Sequence, residues 1–123
     1  MPTRPRVLCA QPTADLRFLL AVLLDRHGFD SDSASTIAEA AAMASAGDYC
    51  LYVVDDRYDD GTGPEMIRRL REATPAVPVL AFSALSFERD MEEALRAGAS
   101  AYLLKPNDFG AIAETVKHLC GAA

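Results

Sequence analysis

Cysteine is scarce in this sequence. Three residues, Cys9, Cys50 and Cys120, show neither a CxxC spacing nor an even count, which argues against a zinc site and a disulfide framework and predicts buried, reduced thiols. Long apolar runs are lacking as well. No stretch approaches the roughly 18 residues that a spanning helix needs, and the basic start is not followed by an apolar segment of signal-peptide length. The chain is therefore expected to be cytoplasmic and to make no membrane contact. A basic excess is missing: 12 Lys and Arg stand against 18 Asp and Glu, a formal net charge of -6, so a nucleic-acid backbone is not the expected partner. There is no GxGxxG motif, no glycine-rich phosphate loop after the first strand, and no nucleophile paired with a base, so an enzyme is not expected. His27 and His118 fall at predicted helix ends, where the helix dipole accounts for them without catalysis.

What is present is the composition of one soluble globular domain. Half of the 123 residues are hydrophobic and 24% are charged, enough for one core and too few residues for a second. Short apolar runs alternate with stretches of helical period, the pattern of strands joined through helices into a parallel sheet. Strands are predicted over 7–10, 29–34, 51–54, 78–82 and 101–104, the second polar enough to lie at an edge. Helices are predicted over 15–27, from Thr36 to a stop at Gly47, over 64–72, over 87–97 with Gly98 as its stop, and from a cap at Asp108 to about Cys120. The first of these places Leu16, Leu19, Leu20, Leu23 and Leu24 on one face.

In an open doubly wound sheet, reactive groups collect beyond the carboxyl ends of the strands. The residues there are Gln11 and Pro12 after the first strand, Asp55 after the third, Ser83 after the fourth, and Lys105 with Pro106 after the fifth. A carboxylate, a hydroxyl and an ammonium converge on one edge. The acidic run that follows Asp55 has some likeness to a calcium loop. Its twelfth position is Ile67 instead of Glu, however, and residues 56–61 read as a solvated loop.

The spacing of these groups carries a resemblance. Leu51-Tyr-Val-Val-Asp55, Gly63-Pro-Glu65, Pro78-Val-Leu-Ala-Phe-Ser83-Ala84 and Ala97-Gly-Ala-Ser-Ala-Tyr102-Leu-Leu-Lys105-Pro106 together resemble the receiver domain of bacterial two-component response regulators, over essentially the whole chain. The resemblance implies a flavodoxin-like, doubly wound (βα)5 three-layer sandwich with a parallel five-stranded sheet in the order 2-1-3-4-5, spanning residues 1–123 as a single domain with no output domain. It further implies that Asp55 is the position that accepts a phosphoryl group from a histidine kinase in a phosphorelay. Ser83 would supply the hydroxyl that meets the phosphoryl group, Lys105 the ammonium, Tyr102 the aromatic switch, and Lys105–Pro106 a cis peptide.

One departure from that pattern matters. Receivers carry two acidic residues after the first strand to hold Mg2+, and this chain has Gln11 and Pro12 there. The remaining ligand candidates are Asp55, Gln11, Asp56 and the backbone carbonyl of Arg57, with Asp59 and Asp60 as substitutes from the loop, so Mg2+ binding is expected to be weak and no other cofactor is expected. Phosphoryl transfer depends on neutralising charge, so modification of Asp55 is expected to be weak or absent, and Asp55 is expected to pair with Lys105 at rest. The expected function is thus an atypical receiver, a pseudo-receiver that signals by protein-protein contact with a histidine kinase or another signalling protein. The face of the fourth helix, fifth strand and fifth helix is its contact surface, open also to a homodimer; it includes Met91, Leu95 and Tyr102, rimmed by Glu88, Asp90, Glu92 and Glu93. The alternatives are an active phospho-receiver and a small-molecule sensor.

Overall fold

Residues covered on both faces of a sheet have no side left to be polar, which is why the apolar runs become strands. The computed structural model describes residues 4–121. Within them β1 (Arg6–Ala10), β2 (Asp30–Ala34), β3 (Leu51–Val54), β6 (Val79–Ser83) and β7 (Ala101–Leu104) form one sheet in the order β2-β1-β3-β6-β7, every pair parallel. With the two short strands of a loop hairpin set aside, this is the expected order 2-1-3-4-5. The polar β2 lies at the edge, and all four residues of β3 are buried at the centre.

Helices cover both faces. Leu20 and Leu24 of α1 (Ala14–Arg26) and Ile112 and Val116 of α5 (Ile112–Leu119) pack with Val7, Cys9, Leu51, Val53, Leu80 and Phe82. The opposite layer joins α2 (Ile37–Ala46), α3 (Gly63–Ala73) and α4 (Glu88–Ala97) to Leu8, Tyr52, Val54 and Val79. Burial of each such Leu or Ile side chain stabilises the fold by about 2 kcal/mol. Local chemistry sets the helix ends. Thr36 and Thr62 each accept a hydrogen bond from the backbone N–H three residues on, Pro64 stands in the first turn of α3, and Gly98, with φ of 122°, stops α4 where a side chain would be strained.

Four expectations are corrected. Leu19 does not share the buried face of α1; it is 52% exposed beside Phe18 at 68%, because a helix resting on a sheet buries a stripe narrower than the five leucines span. The stretch after Asp55 is not simply a solvated loop. It folds into a small antiparallel hairpin of β4 (Arg57–Tyr58) and β5 (Gly61–Thr62), with Tyr58 buried. Asp108 does not cap α5. Its side chain turns back to accept from the Leu104 N–H at 2.8 Å, and a single 3-10 turn, Phe109–Ala111, precedes the helix. Finally, Cys50 and Cys120 are joined in a disulfide that ties the end of α5 to the start of β3, with their Cα atoms 5.2 Å apart. Cys9 alone is a buried free thiol, its pKa pushed up to about 12 by burial and, second, by the charge of Asp32.

Candidate functional site

The order of the sheet reverses between β1 and β3, so the chain leaves these neighbouring strands in different directions and opens a crevice at their carboxyl ends. Asp55 follows β3 at this point, Gln11 and Pro12 follow β1, Ser83 ends β6, and Lys105 follows β7. Parallel register delivers them to one edge: Val54 pairs with Ala10 and with Ala81, and Ser83 with Leu104.

Asp55 and Lys105 form the expected ion pair. Lys105 Nζ donates to Asp55 Oδ1 at 2.7 Å, and the two side chains are 21% and 11% exposed respectively. The same Oδ1 accepts from the Asp56 N–H at 2.8 Å, while Oδ2 accepts no hydrogen bond from the described residues. The Lys105 ammonium lies over the Phe82 ring, with Nζ 5.6 Å from its centroid, and the Lys105–Pro106 peptide is cis. The resemblance implied that isomer.

Ser83 lies beside this pair and does not bond to it. Its hydroxyl donates to Asp56 Oδ2 at 2.8 Å, and the Ala84 N–H donates to the same oxygen at 3.1 Å. Ser83 Oγ accepts in turn from the Leu85 N–H at 3.0 Å. Tyr102 closes the sequence, its hydroxyl donating to the Leu85 carbonyl at 2.8 Å; partial burial raises its pKa above the usual tyrosine range.

Sequence reasoning missed two residues that shape this edge. The Tyr58 hydroxyl accepts from the Asp55 N–H at 2.7 Å and donates to the Ala10 carbonyl at 2.6 Å, bolting the loop after β3 to the end of β1. Burial holds its phenol protonated, with the pKa well above the ordinary value. An aromatic three residues beyond Asp55 in an otherwise charged stretch was the available signal. Arg17 of α1 donates to the Gln11 and Pro12 carbonyls at 2.6 and 2.9 Å, placing a guanidinium over the loop where acids were lacking. Gly63 keeps the opening of α3 close, since a Cβ there would come within 2.6 Å of the Asp55 carbonyl oxygen.

The donor set does not fit Mg2+. Gln11 is fully buried, and neither its amide nitrogen nor its amide oxygen has a hydrogen-bond partner among the described residues. Pro12 has no side-chain ligand, Asp55 has one of its two oxygens engaged by Lys105, and Asp56 faces Ser83. Among the described residues no group of three His, Cys, Asp or Glu is placed to share an ion, whereas Mg2+ demands near-octahedral hard oxygen. Asp59 and Asp60 supply no substitute. Asp60 instead caps the neighbouring helix, accepting from the Ile37 and Ala38 N–H groups at 2.9 and 3.0 Å. Those two hydrogen bonds lower its pKa. A carboxylate whose native pKa is depressed stabilises the fold above its unfolded value near pH 4 and loses that contribution as the pH falls through the native value. In Asp60→Asn, the acid-induced loss of stability below about pH 4 should be shallower than in the wild type, read by urea unfolding at successive pH values.

Comparison with known proteins gives a consistent result. Residues 7–117 match the family model of the response regulator receiver domain. The chain is 31% identical over 114 residues to the response regulator protein PilR of Pseudomonas aeruginosa, covering 93% of this chain and 26% of that protein. It is 36% identical over 104 residues to the KDP operon transcriptional regulatory protein KdpE of Escherichia coli, covering 85% of this chain and 46% of that one. The chain thus spans less than half the length of these two relatives. In fold it is similar to the receiver domain of the Francisella response regulator 1452, with a TM-score of 0.89, 24% identity, and coverage of 96% of this chain and 98% of that one.

Proposed function

The chain belongs to the response regulator receiver family, and from that membership we propose that it is an atypical receiver in which Asp55 is phosphorylated weakly or not at all. It acts by protein-protein contact. The observation that carries this reading is the state of the metal edge: Gln11 and Pro12 stand where acids are needed, and Arg17 spans their carbonyls. Phosphoryl transfer is catalysed chiefly by positioning and charge neutralisation. Lys105 supplies one positive charge at Asp55, and among the described residues no second cation pairs with that carboxylate, the Arg17 guanidinium being bound to the Gln11 and Pro12 carbonyls instead.

The expected result is that acetyl phosphate with Mg2+ adds no phosphoryl mass to the intact protein, while Gln11→Asp with Pro12→Asp gains Mg2+ affinity and modification. Stoichiometric, Mg2+-dependent phosphorylation of the wild type would overturn the reading. One observation favours the active phospho-receiver as a second reading, namely that Asp55 Oδ2 accepts no hydrogen bond from the described residues and is free to attack. The same experiment separates the two. A small-molecule sensor would hold its ligand at the vacated acid positions Gln11 and Pro12; the neighbouring cavity among Asp55, Ser83 and Tyr102 measures about 30 Å3, room for about one water, and adds no space for it.

For a partner, the reading points to a histidine kinase or another signalling protein. Exposed Leu85, Phe87 and Leu95 lie near half-buried Met91 and Tyr102, with Glu88, Glu92 and Glu93 exposed on α4 and Asp90 partly so. A scattered apolar surface with an acidic rim suits a protein partner or a second copy better than an anionic polymer. Among the described residues no helix is long and apolar enough to cross a membrane.

A further inference from the structure

We propose that the Asp56 carboxylate is a built-in anion that occupies the donors of Ser83 and Ala84, and so holds the loop between β6 and α4, together with Tyr102, in one arrangement without a phosphoryl group. The inference rests on the receiver reading for its signalling consequence only. The geometry stands by itself. A hydroxyl and a backbone N–H from adjacent residues converge on one carboxylate oxygen, at 2.8 and 3.1 Å, and converging donors of this kind form an anion site with charge-assisted bonds. Ser83 is 2% exposed, so its hydroxyl has little access to water as a competing partner.

The hydroxyl carries a single proton. Because Oγ accepts from the Leu85 N–H at 3.0 Å, its proton is directed to Asp56. Any acceptor built on Asp55 must displace the Asp56 carboxylate before it can receive that bond. Asp56 is kept in place from its other side, since its own N–H donates to Asp55 Oδ1 at 2.8 Å and the Lys105 ammonium on that oxygen offsets one of the two neighbouring negative charges. From Asp56 the hydrogen bonds continue through Ser83 and the Leu85 backbone to the Tyr102 hydroxyl, and Leu85 and Phe87 are exposed at the end of this path. The surface offered to a partner is thus set by a residue of the chain itself, and it responds to substitution of Asp56 more than to a phosphodonor.

The test is backbone amide NMR on the full chain, following hydrogen exchange and chemical shift at Ala84, Leu85 and Tyr102. Asp56→Ala should speed exchange at Ala84 by about tenfold or more, as for the loss of one charge-assisted bond, and shift Leu85 and Tyr102. Asp56→Asn, which keeps a neutral acceptor, should give a smaller change in the same residues. A folded Asp56→Ala protein with unchanged exchange and shifts at these sites overturns the proposal. Ser83→Ala guards against a variant that fails to fold. In it Ala84 stays protected by Asp56 while Leu85 is released, and equal loss at both also overturns the proposal. None of these readouts needs transfer to Asp55. Failure of the inference appears as unaltered amides, whereas failure of the weak-phosphorylation reading appears as phosphoryl mass on the wild type.

Discussion

Reducing the disulfide between Cys50 and Cys120 should lower the unfolding free energy by about 4 kcal/mol, the entropy that a cross-link of this span removes from the unfolded chain. The two residues are 70 apart in sequence. One end lies immediately before the central strand and the other at the C-cap of α5, so the bond also restrains a helix that packs on β1, β3 and β6 through Ile112 and Val116. In urea, the unfolding midpoint of the wild type with dithiothreitol should fall by about 2 M relative to the oxidised protein, given a typical dependence near 2 kcal/mol per molar. Cys120→Ser should unfold at the reduced midpoint and be indifferent to reductant. Thiol titration of the oxidised chain in denaturant should find one reactive group, Cys9. Coincident midpoints with and without reductant would contradict the assignment.

Tyr58→Phe should destabilise the protein by about 3 kcal/mol, because it leaves the Asp55 N–H and the Ala10 carbonyl without their shared partner, at about 1–3 kcal/mol for each buried polar group. The ring and its packing are retained, so the loss isolates the hydroxyl, which meets those groups at 2.7 and 2.6 Å. Urea unfolding measures the loss, and the amides of Asp55 and Asp56 should shift most in the folded variant. A pH comparison adds an independent check. Burial raises the Tyr58 pKa in the folded state, so above about pH 10 the unfolded chain sheds this proton and the native chain keeps it. Its contribution is therefore complete below that pH and is lost as the pH rises further. Wild-type stability should fall more steeply there than that of Tyr58→Phe. Tyr49, raised to about 12 mainly by burial and then by its bond to Asp32, is common to both proteins and cancels.

Much of the fold is legible in the amino-acid sequence. The predicted limits of β3 and β7 coincide with the observed ones, and Thr36 caps α2 as its place before an alanine-rich run implied. Strand-end spacing also brought Asp55 and Lys105 to one edge, where they pair. The hairpin at Arg57–Tyr58 and Gly61–Thr62 left no such trace, because two-residue strands are too short to have a period and the charged neighbours of Tyr58 mask its burial. Asp108 looked like a cap because Asp is common at helix starts, but an available N–H on Leu104 claimed its side chain first.

The amino-acid order alone determined the alternation of strand and helix, the parallel sheet, and the position of the carboxylate at the end of the central strand. All of these follow from which residues can be buried within a few positions of one another. Tertiary structure decided the partners. Cys50 meets Cys120 across 70 residues, Tyr58 finds a carbonyl on β1 48 residues earlier, and Ser83 bonds to Asp56 instead of to its neighbour Asp55. The reason is physical: periodicity reports which face of an element is covered, whereas the direction of one hydroxyl, thiol or carboxylate depends on which unpaired group the sheet order places within about 3 Å of it.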